Sequence, residues 1–199
     1  MKRLGILLSG RGSNFEAIAD HAQAGHLAAE VAVVISNRRE ARGIEVARSR
    51  GFRVLVLPSS ELPREKYDRM LVDELKQCGV DLVCLAGFMR VLTPEFCRAF
   101  PLQALNIHPS LLPAFPGVDA QRQALEQGVK ISGCTVHFVD EHLDSGPIVM
   151  QAAVPVLDQD TEETLAARIL EQEHRIYSEA IGVILSGRWR VEGRRVITE

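Results

Sequence analysis

Residues 4–14 read LGILLSGRGSN and join a buried strand to a helix. Leu4–Leu8 is a compact apolar run, which is typical of a strand buried on both faces. The turn Ser9–Asn14 follows at once, and Phe15–Ala24 then has the composition of a helix. A strand, a glycine-rich turn and a helix in this order form the first half of a βαβ unit, which places parallel strands in one sheet.

The same alternation continues along the chain and predicts an α/β fold. Further strands are expected at 31–35, 53–57, 81–86, 104–108, 133–139 and 148–156, and helices at 42–50, 63–78, 94–100, 121–127 and 161–185. We expect a Rossmann-like, twisted and mostly parallel sheet with helices on both faces and a mixed C-terminal edge. The whole chain, 1–199, is expected to form one domain that ends in a hairpin at about 188–199.

The turn at Gly10–Asn14 has the chemistry of a phosphate site. Glycines let the backbone approach a ligand closely, and the free N–H groups at a helix start attract an anion. Ser13 and Asn14 are also good N-cap residues. The spacing is shorter than a dinucleotide fingerprint, and Asn37 stands where an acid would hold the ribose of NAD. The turn therefore suits a single phosphate, with a plain strand-to-helix turn as the alternative.

A second stretch, Ala104–Gly117, reads ALNIHPSLLPAFPG. Side chains at i and i+2 share one face of a strand, so Asn106 and His108 are expected to point the same way. Three prolines make the following loop stiff. An amide and an imidazole side by side can donate hydrogen bonds to an oxygen that becomes negative during acyl transfer. The alternative is a polar strand end whose side chains bond to nearby backbone, and we interpret His137 as such a satisfied interior histidine.

Composition excludes several classes of function. The 23 basic and 26 acidic side chains give a net charge of -3, so no nucleic-acid partner is expected. The arginines at 188, 190, 194 and 195 are interpreted as a solvated surface. No apolar run reaches the ~18–20 residues of a membrane span, and no signal peptide is expected. The four cysteines form no C-x-x-C pair, which indicates buried thiols of a cytoplasmic protein, and the histidine spacings predict no metal site.

Four motifs together resemble the folate-dependent formyltransferases. They are Gly12-Ser13-Asn14, LAGFMR at 85–90, NIHPSLLP at 106–113 and LDSGP at 143–147. The resemblance covers the chain from Leu4 to about Leu185, and the third motif is specific to formyltransferases and their deformylase relatives. It implies transfer of a formyl group from 10-formyltetrahydrofolate, as cosubstrate, to the amine of 5-phosphoribosylglycinamide in purine synthesis.

The resemblance also implies a role for each of a set of residues. It assigns Gly12, Ser13, Asn14 and Glu173 to the phosphate and ribose of phosphoribosylglycinamide; Arg64, Met89, Arg90, Val91, Leu92, Asn106, Asp140, Glu141 and Asp144 to the folate; and Asn106, His108 and Asp144 to catalysis. On this interpretation the Asp144 carboxylate favours the protonated form of His108. The phosphate turn, the folate residues and the catalytic set are expected to face one cleft at the carboxyl ends of the strands.

The chain departs from the family pattern at Asp119 and Gln121, where members often have His, and we interpret these two positions as lying outside the chemistry. The alternatives are a formyltetrahydrofolate deformylase, an enzyme that formylates an amino sugar nucleotide, and a nucleotide-binding module without chemistry. The sequence allows a homodimer without requiring one.

Overall fold

In a computed structural model, which describes residues 1–60 and 62–199, the apolar run at the start of the chain forms strand β1 (Lys2–Leu8). Every residue from Leu4 to Leu8 is buried, as expected for a strand covered on both faces. The chain divides into two compact units, Met1–Asn106 and Ile107–Glu199. The prediction of a single domain stays a prediction.

The first unit is a parallel sheet with helices between its strands. Its elements are β1, α1 (Ser13–Gln23), β2 (Ala29–Ser36), α2 (Arg42–Ser49), β3 (Val54–Val56), α3 (Arg64–Gln77), β4 (Leu82–Leu85), α4 (Pro94–Ala99) and β5 (Ala104–His108), whose last two residues belong to the second unit. The strands are ordered β3-β2-β1-β4-β5, and every neighbouring pair is parallel. The order reverses at β1, which is the kind of point where ligands bind in open α/β sheets.

The second unit combines antiparallel and parallel strands with one long helix. Its further elements are α5 (Ala120–Glu126), β6 (Ile131–Phe138), β7 (Ile148–Pro155), α6 (Glu162–Leu185), β8 (Trp189–Glu192) and β9 (Arg195–Thr198). Strands β6 and β7 are antiparallel, β9 joins β7 in parallel, and β8 and β9 form the expected terminal hairpin. The mostly parallel α/β fold and its mixed C-terminal part are therefore confirmed.

Helix α6 supplies much of the core of the second unit. It packs against β6 and β7 through fully buried side chains that recur at helical spacing, among them Leu165, Ile169 and Ile176. Its start is fixed by Thr161 and Thr164, which bond to each other's backbone N–H groups in a capping box. Within the described residues, no helix combines the length and the apolar character that a membrane crossing requires.

Candidate active site

Asn106 and His108 lie two residues apart on β5, so both side chains leave the same face of the strand. His108 is buried and Asn106 is half-buried. The alternate residues Leu105 and Ile107 are buried among apolar neighbours, as predicted. The strand therefore presents an amide beside an imidazole, where rigid backbone positions both.

Both ring nitrogens of His108 face an oxygen acceptor. Nε2 lies 2.8 Å from the carbonyl oxygen of Phe115, and Nδ1 lies 3.4 Å from Oδ2 of Asp144. A neutral imidazole has a single N–H, whereas the imidazolium donates from both nitrogens. These contacts hold the ring from two sides and bring together two of the three residues predicted for catalysis.

Asp144 is held in place by its own environment. Its side chain is 9% exposed, and Oδ2 accepts a hydrogen bond of 2.8 Å from the backbone N–H of Gly117. The φ angle of Asp144 is 48°, a left-handed conformation that non-glycine residues rarely adopt. Such a conformation persists where surrounding contacts over-determine it, and it is found disproportionately at functional sites.

His137 lies beside Asp144, near the carboxylate oxygen other than the one that faces His108. It is buried, as the interpretation of an interior histidine expects. Its Nδ1 donates to the carbonyl oxygen of Phe138 at 2.9 Å, and its Nε2 lies 3.7 Å from Oδ1 of Asp144. Burial lowers the pKa of His137, and the Asp144 carboxylate opposes that effect only in part. Asp144 thus lies between the two histidine rings. The alternation of Thr135, His137 and Val139 along the predicted strand was the signal that placed His137 on an inward face.

Thr135 fixes the proline-rich loop after β5, a role that sequence reasoning missed. Its buried hydroxyl donates to the carbonyl oxygen of Ser110 at 2.6 Å and accepts from the N–H of Leu112 at 3.0 Å. The side-chain amide of Gln151 donates both to this hydroxyl and to the carbonyl oxygen of Leu112, at 2.9 Å each. Neighbouring strands β6 and β7 therefore hold the loop that carries the Phe115 carbonyl and the Gly117 N–H.

The proposed phosphate turn is a strand-to-helix connection built on two glycines. Gly12 has φ 86°, and a Cβ atom there would lie 2.7 Å from Cα of Gly43. The N–H of Gly43 in turn donates to the carbonyl oxygen of Gly10 at 3.0 Å. Gly12 is thus required both by its left-handed backbone and by the close approach of α2.

The prediction that Ser13 and Asn14 are N-cap residues is wrong. The N-cap of α1 is Gly12, and no side chain in the described part of the chain accepts a hydrogen bond at that cap. Ser13 and Asn14 form the first turn of the helix instead. A glycine N-cap supplies no side-chain acceptor to the N–H groups of the first turn, which is compatible with an anion at this helix start.

The segment Met89–Leu92 extends past β4 and exposes alternate apolar side chains. Met89 is 63% exposed and Val91 is 49% exposed, whereas Leu92 is buried. The backbone N–H of Met89 donates to Oγ of Ser9 at 2.8 Å, which ties the segment to the end of β1. Exposed apolar side chains on a tethered backbone are suited to a flat aromatic ligand.

Helix α3 holds this segment from the other side. The guanidinium of Arg64 donates to the carbonyl oxygen of Val91 at 2.9 Å, and that of Arg90 stacks on the ring of Tyr67 at 4.5 Å. The buried carboxylate of Asp68 accepts from the N–H of Thr93 at 2.6 Å. The two arginines predicted to meet carboxylates of the folate therefore lie at the same segment. The roles of Tyr67 and Asp68 were not predicted from the sequence. Tyr67 contacts the side chain of Arg90 and Asp68 bonds to the backbone of Thr93, and both partners are distant in sequence.

The remaining predicted residues all lie in the second unit. Glu173 is buried on α6. The pKa of the Cys134 thiol is raised to about 12, first by burial of the thiol and second by the nearby charge of Glu173. Asp140 accepts from the N–H of His142 and from Oγ of Ser145, so its carboxylate organises its own loop. Glu141 is exposed in that loop. Among the described residues, no group of three His, Cys, Asp or Glu side chains could hold a metal ion.

Comparison with known proteins places this geometry in a family. The sequence profile described as "Formyl transferase" matches residues 2–181. Phosphoribosylglycinamide formyltransferase of Escherichia coli (strain K12) is 44% identical over 187 residues, which cover 94% of this chain and 88% of that protein. The trifunctional purine biosynthetic protein adenosine-3 of Drosophila melanogaster is 47% identical over 189 residues, but the chain spans only 14% of its length.

A solved structure gives the same result for the fold. Glycinamide ribonucleotide transformylase 1 from Symbiobacterium toebii superposes with a TM-score of 0.97 at 54% identity, covering 100% of this chain and 94% of that one. The family profile matches residues 2–181, and the Escherichia coli relative covers 94% of the chain. The chain therefore belongs to the formyl transferase family, among the phosphoribosylglycinamide formyltransferases.

Proposed function

We propose that this protein transfers the formyl group of 10-formyltetrahydrofolate to the amine of 5-phosphoribosylglycinamide. The observation that supports it best is the distance of 3.4 Å between Nδ1 of His108 and Oδ2 of Asp144. His108 lies on β5, which carries Asn106 two residues earlier. Because the chain belongs to the formyl transferase family, we infer that these groups act in formyl transfer.

In the proposed mechanism the acceptor amine attacks the formyl carbon directly, so the protein supplies no nucleophile. The carbonyl oxygen becomes an oxyanion in a tetrahedral intermediate, and Asn106 and protonated His108 donate hydrogen bonds to it. The bond from carbon to the folate nitrogen then breaks. Protonated His108 gives its proton to the folate nitrogen as that bond breaks, and the proton that the attacking amine loses restores the ring. Asp144 keeps the ring oriented through its contact with Nδ1.

We assign the substrate contacts to the residues predicted from the sequence. Gly12, Ser13 and Asn14 bind the phosphate and Glu173 the ribose hydroxyls. Met89, Val91 and Leu92 line the pterin, with Arg64 and Arg90 at the carboxylates of the folate tail, and Asn106, Asp140, Glu141 and Asp144 complete the folate site. The uncapped helix start after Gly12 and the exposed faces of Met89 and Val91 support these assignments.

The direct test is a formyl-transfer assay with purified protein, 10-formyltetrahydrofolate and 5-phosphoribosylglycinamide. We expect formylated product that depends on both substrates and little free formate when the amine is left out. Release of formate at the same rate without the amine would instead identify a deformylase, and the absence of both products would contradict the proposal.

We also propose a cytoplasmic location and a homodimeric state. The free thiols of Cys78, Cys84, Cys97 and Cys134 support a reducing compartment. The exposed apolar side chains of Met89 and Val91 are available for a partner as well as for a ligand. Sedimentation analysis with and without a folate analogue tests the dimer, since a monomer in both samples would rule it out.

A further inference from the structure

The C-terminal hairpin, β8 and β9, lies beyond residues 2–181, the part of the chain that the family profile matches. The sequence assigned it no role beyond a solvated basic surface. In the structure, one of its arginines contacts the loop 139–147, which connects β6 to β7 and carries Asp144.

The hairpin contacts this loop at three places. Before the loop, the ring of Trp189 packs on Phe138, with 5.2 Å between centroids. After the loop, β9 pairs in parallel with β7 through Arg195 and Ile148. Within the loop, Nη2 of Arg194 donates to the carbonyl oxygen of Ser145 at 2.6 Å. The first two contacts hold the loop ends, and the third acts on the Ser145–Gly146 peptide group, one residue beyond Asp144.

The loop is also held by a bond from the N–H of Gly117 to the Asp144 carboxylate. Its internal bonds run from Oγ of Ser145 and the N–H of His142 to the carboxylate of Asp140. Asp144 nevertheless has φ 48°, which neighbouring contacts must maintain. A guanidinium bonded to the Ser145 carbonyl holds the Ser145–Gly146 peptide group, and so limits movement of the backbone from which the Asp144 carboxylate projects.

We propose that Arg194 is a positioning residue that holds the loop 139–147 with the Asp144 carboxylate at His108. Arg194 does not contact His108 or the substrates. Its effect on kinetics rests on the function proposed above, whereas its effect on the loop does not. When the Arg194 contact is removed, a smaller fraction of the molecules has Asp144 facing His108. The apparent affinity for a ligand that binds only this conformation falls by the same factor.

The experiment compares Arg194→Ala with a matched control, Arg190→Ala. Arg190 lies on the same hairpin, but its guanidinium pairs with Glu192 and Glu199 of the hairpin itself. Amide hydrogen exchange of peptides covering 139–147 is measured in the protein without ligand. We expect about 3- to 10-fold faster exchange in Arg194→Ala, the range that corresponds to one hydrogen bond of typical net strength, and less than about a twofold change in Arg190→Ala.

Kinetics supply the second readout. Arg194→Ala should raise KM for formyl folate by about the same factor and leave KM for phosphoribosylglycinamide within about twofold, because the loop is assigned to the folate and to catalysis but not to phosphoribosylglycinamide. Arg194→Lys, which keeps a cationic donor, should recover part of the loss. A general loss of stability would change both KM values and the melting temperature together.

Unchanged exchange of 139–147 in Arg194→Ala, or equal acceleration in Arg190→Ala, would overturn the proposal. If the unaltered protein shows no formyl transfer, the proposed function fails, but the exchange comparison still decides whether Arg194 holds the loop. If transfer is present and exchange responds while neither KM nor kcat does, the loop contact exists and its role in positioning Asp144 is refuted.

Discussion

At the scale of single residues, the site depends on one carboxylate that serves two histidines. Asp144 lies 3.4 Å from Nδ1 of His108 and 3.7 Å from Nε2 of His137. The ring nitrogens farther from Asp144 each donate to a backbone carbonyl. The two rings therefore share their types of partner, and burial lowers the pKa of His137.

We predict that Asn106→Ala, His108→Ala and Asp144→Ala each lower kcat by about 100- to 1000-fold, because each removes a group that stabilises the developing oxyanion or the imidazolium. Steady-state assays with both substrates measure the effect. Asp158→Ala is the control, since Asp158 forms an exposed pair with Lys130. Turnover near that of the unaltered protein in the Asp144 variant would remove Asp144 from the catalytic set.

The lowered pKa of His137 predicts a pH-dependent contribution to stability. The unfolded ring takes a proton near its ordinary value of 6.5, whereas the folded ring takes one only at lower pH. The unfolded state therefore binds more protons in that interval, and the free energy of unfolding falls as the pH drops through it. In His137→Asn, where the amide can still donate to the Phe138 carbonyl, urea unfolding should show a smaller fall than in the unaltered protein.

The control for this measurement is His26→Asn, because His26 is exposed. Its pH dependence should match that of the unaltered protein between about pH 7.5 and about pH 5.5. An identical fall in His137→Asn and His26→Asn would mean that His137 does not contribute.

At the scale of elements, the turn between β1 and α1 depends on the close approach of α2. We predict that Gly12→Ala lowers the free energy of unfolding by at least about 1–3 kcal/mol, since a Cβ atom would meet Gly43 and alanine disfavours φ 86°. Urea unfolding measures the change. Gly10→Ala is the matched control, because nothing lies within 4 Å of its Cβ position, and it should change stability by less than about 0.5 kcal/mol. Equal losses in both variants would contradict the close approach.

A second element effect concerns α3, which fixes the segment after β4 through Asp68. Asp68→Ala leaves the buried N–H of Thr93 without its acceptor and should cost about 1–3 kcal/mol of unfolding free energy. Asp73→Ala on the exposed face of the same helix should be nearly neutral. Chemical unfolding of the two variants under one condition gives the comparison, and similar losses would show that the Asp68 contact contributes nothing of its own.

At the scale of the whole molecule, substrate binding should appear as added stability. A folate analogue present at about 100 times its Kd should stabilise the folded state by about 2.7 kcal/mol, and the melting temperature should rise with ligand concentration. Scanning calorimetry measures the rise. NAD is the negative control, because Asn37 rather than an acid follows β2. A rise with NAD and none with the folate analogue would favour a nucleotide-binding module.

The sequence alone determined those features that depend on neighbouring residues. The alternation of strands and helices, the shared face of Asn106 and His108, the glycine-rich turn before α1 and the terminal hairpin all follow from local patterns of apolar, glycine and proline residues. Their physical basis is the two-residue period of a strand and the conformational range of glycine, which act over a few residues. The assignment of Asp144 came from resemblance to a family and not from a local pattern.

Only the tertiary structure decided which distant groups meet. The register of β6 on β7 brings Thr135 and Gln151 together beneath the loop after β5, and the path of the loop 139–147 sets Asp144 between His108 and His137. Arg194 reaches Ser145 only because β9 pairs with β7. These contacts depend on strand register and on backbone conformations such as φ 48° at Asp144, which many side chains determine jointly, so no local pattern in the sequence specifies them.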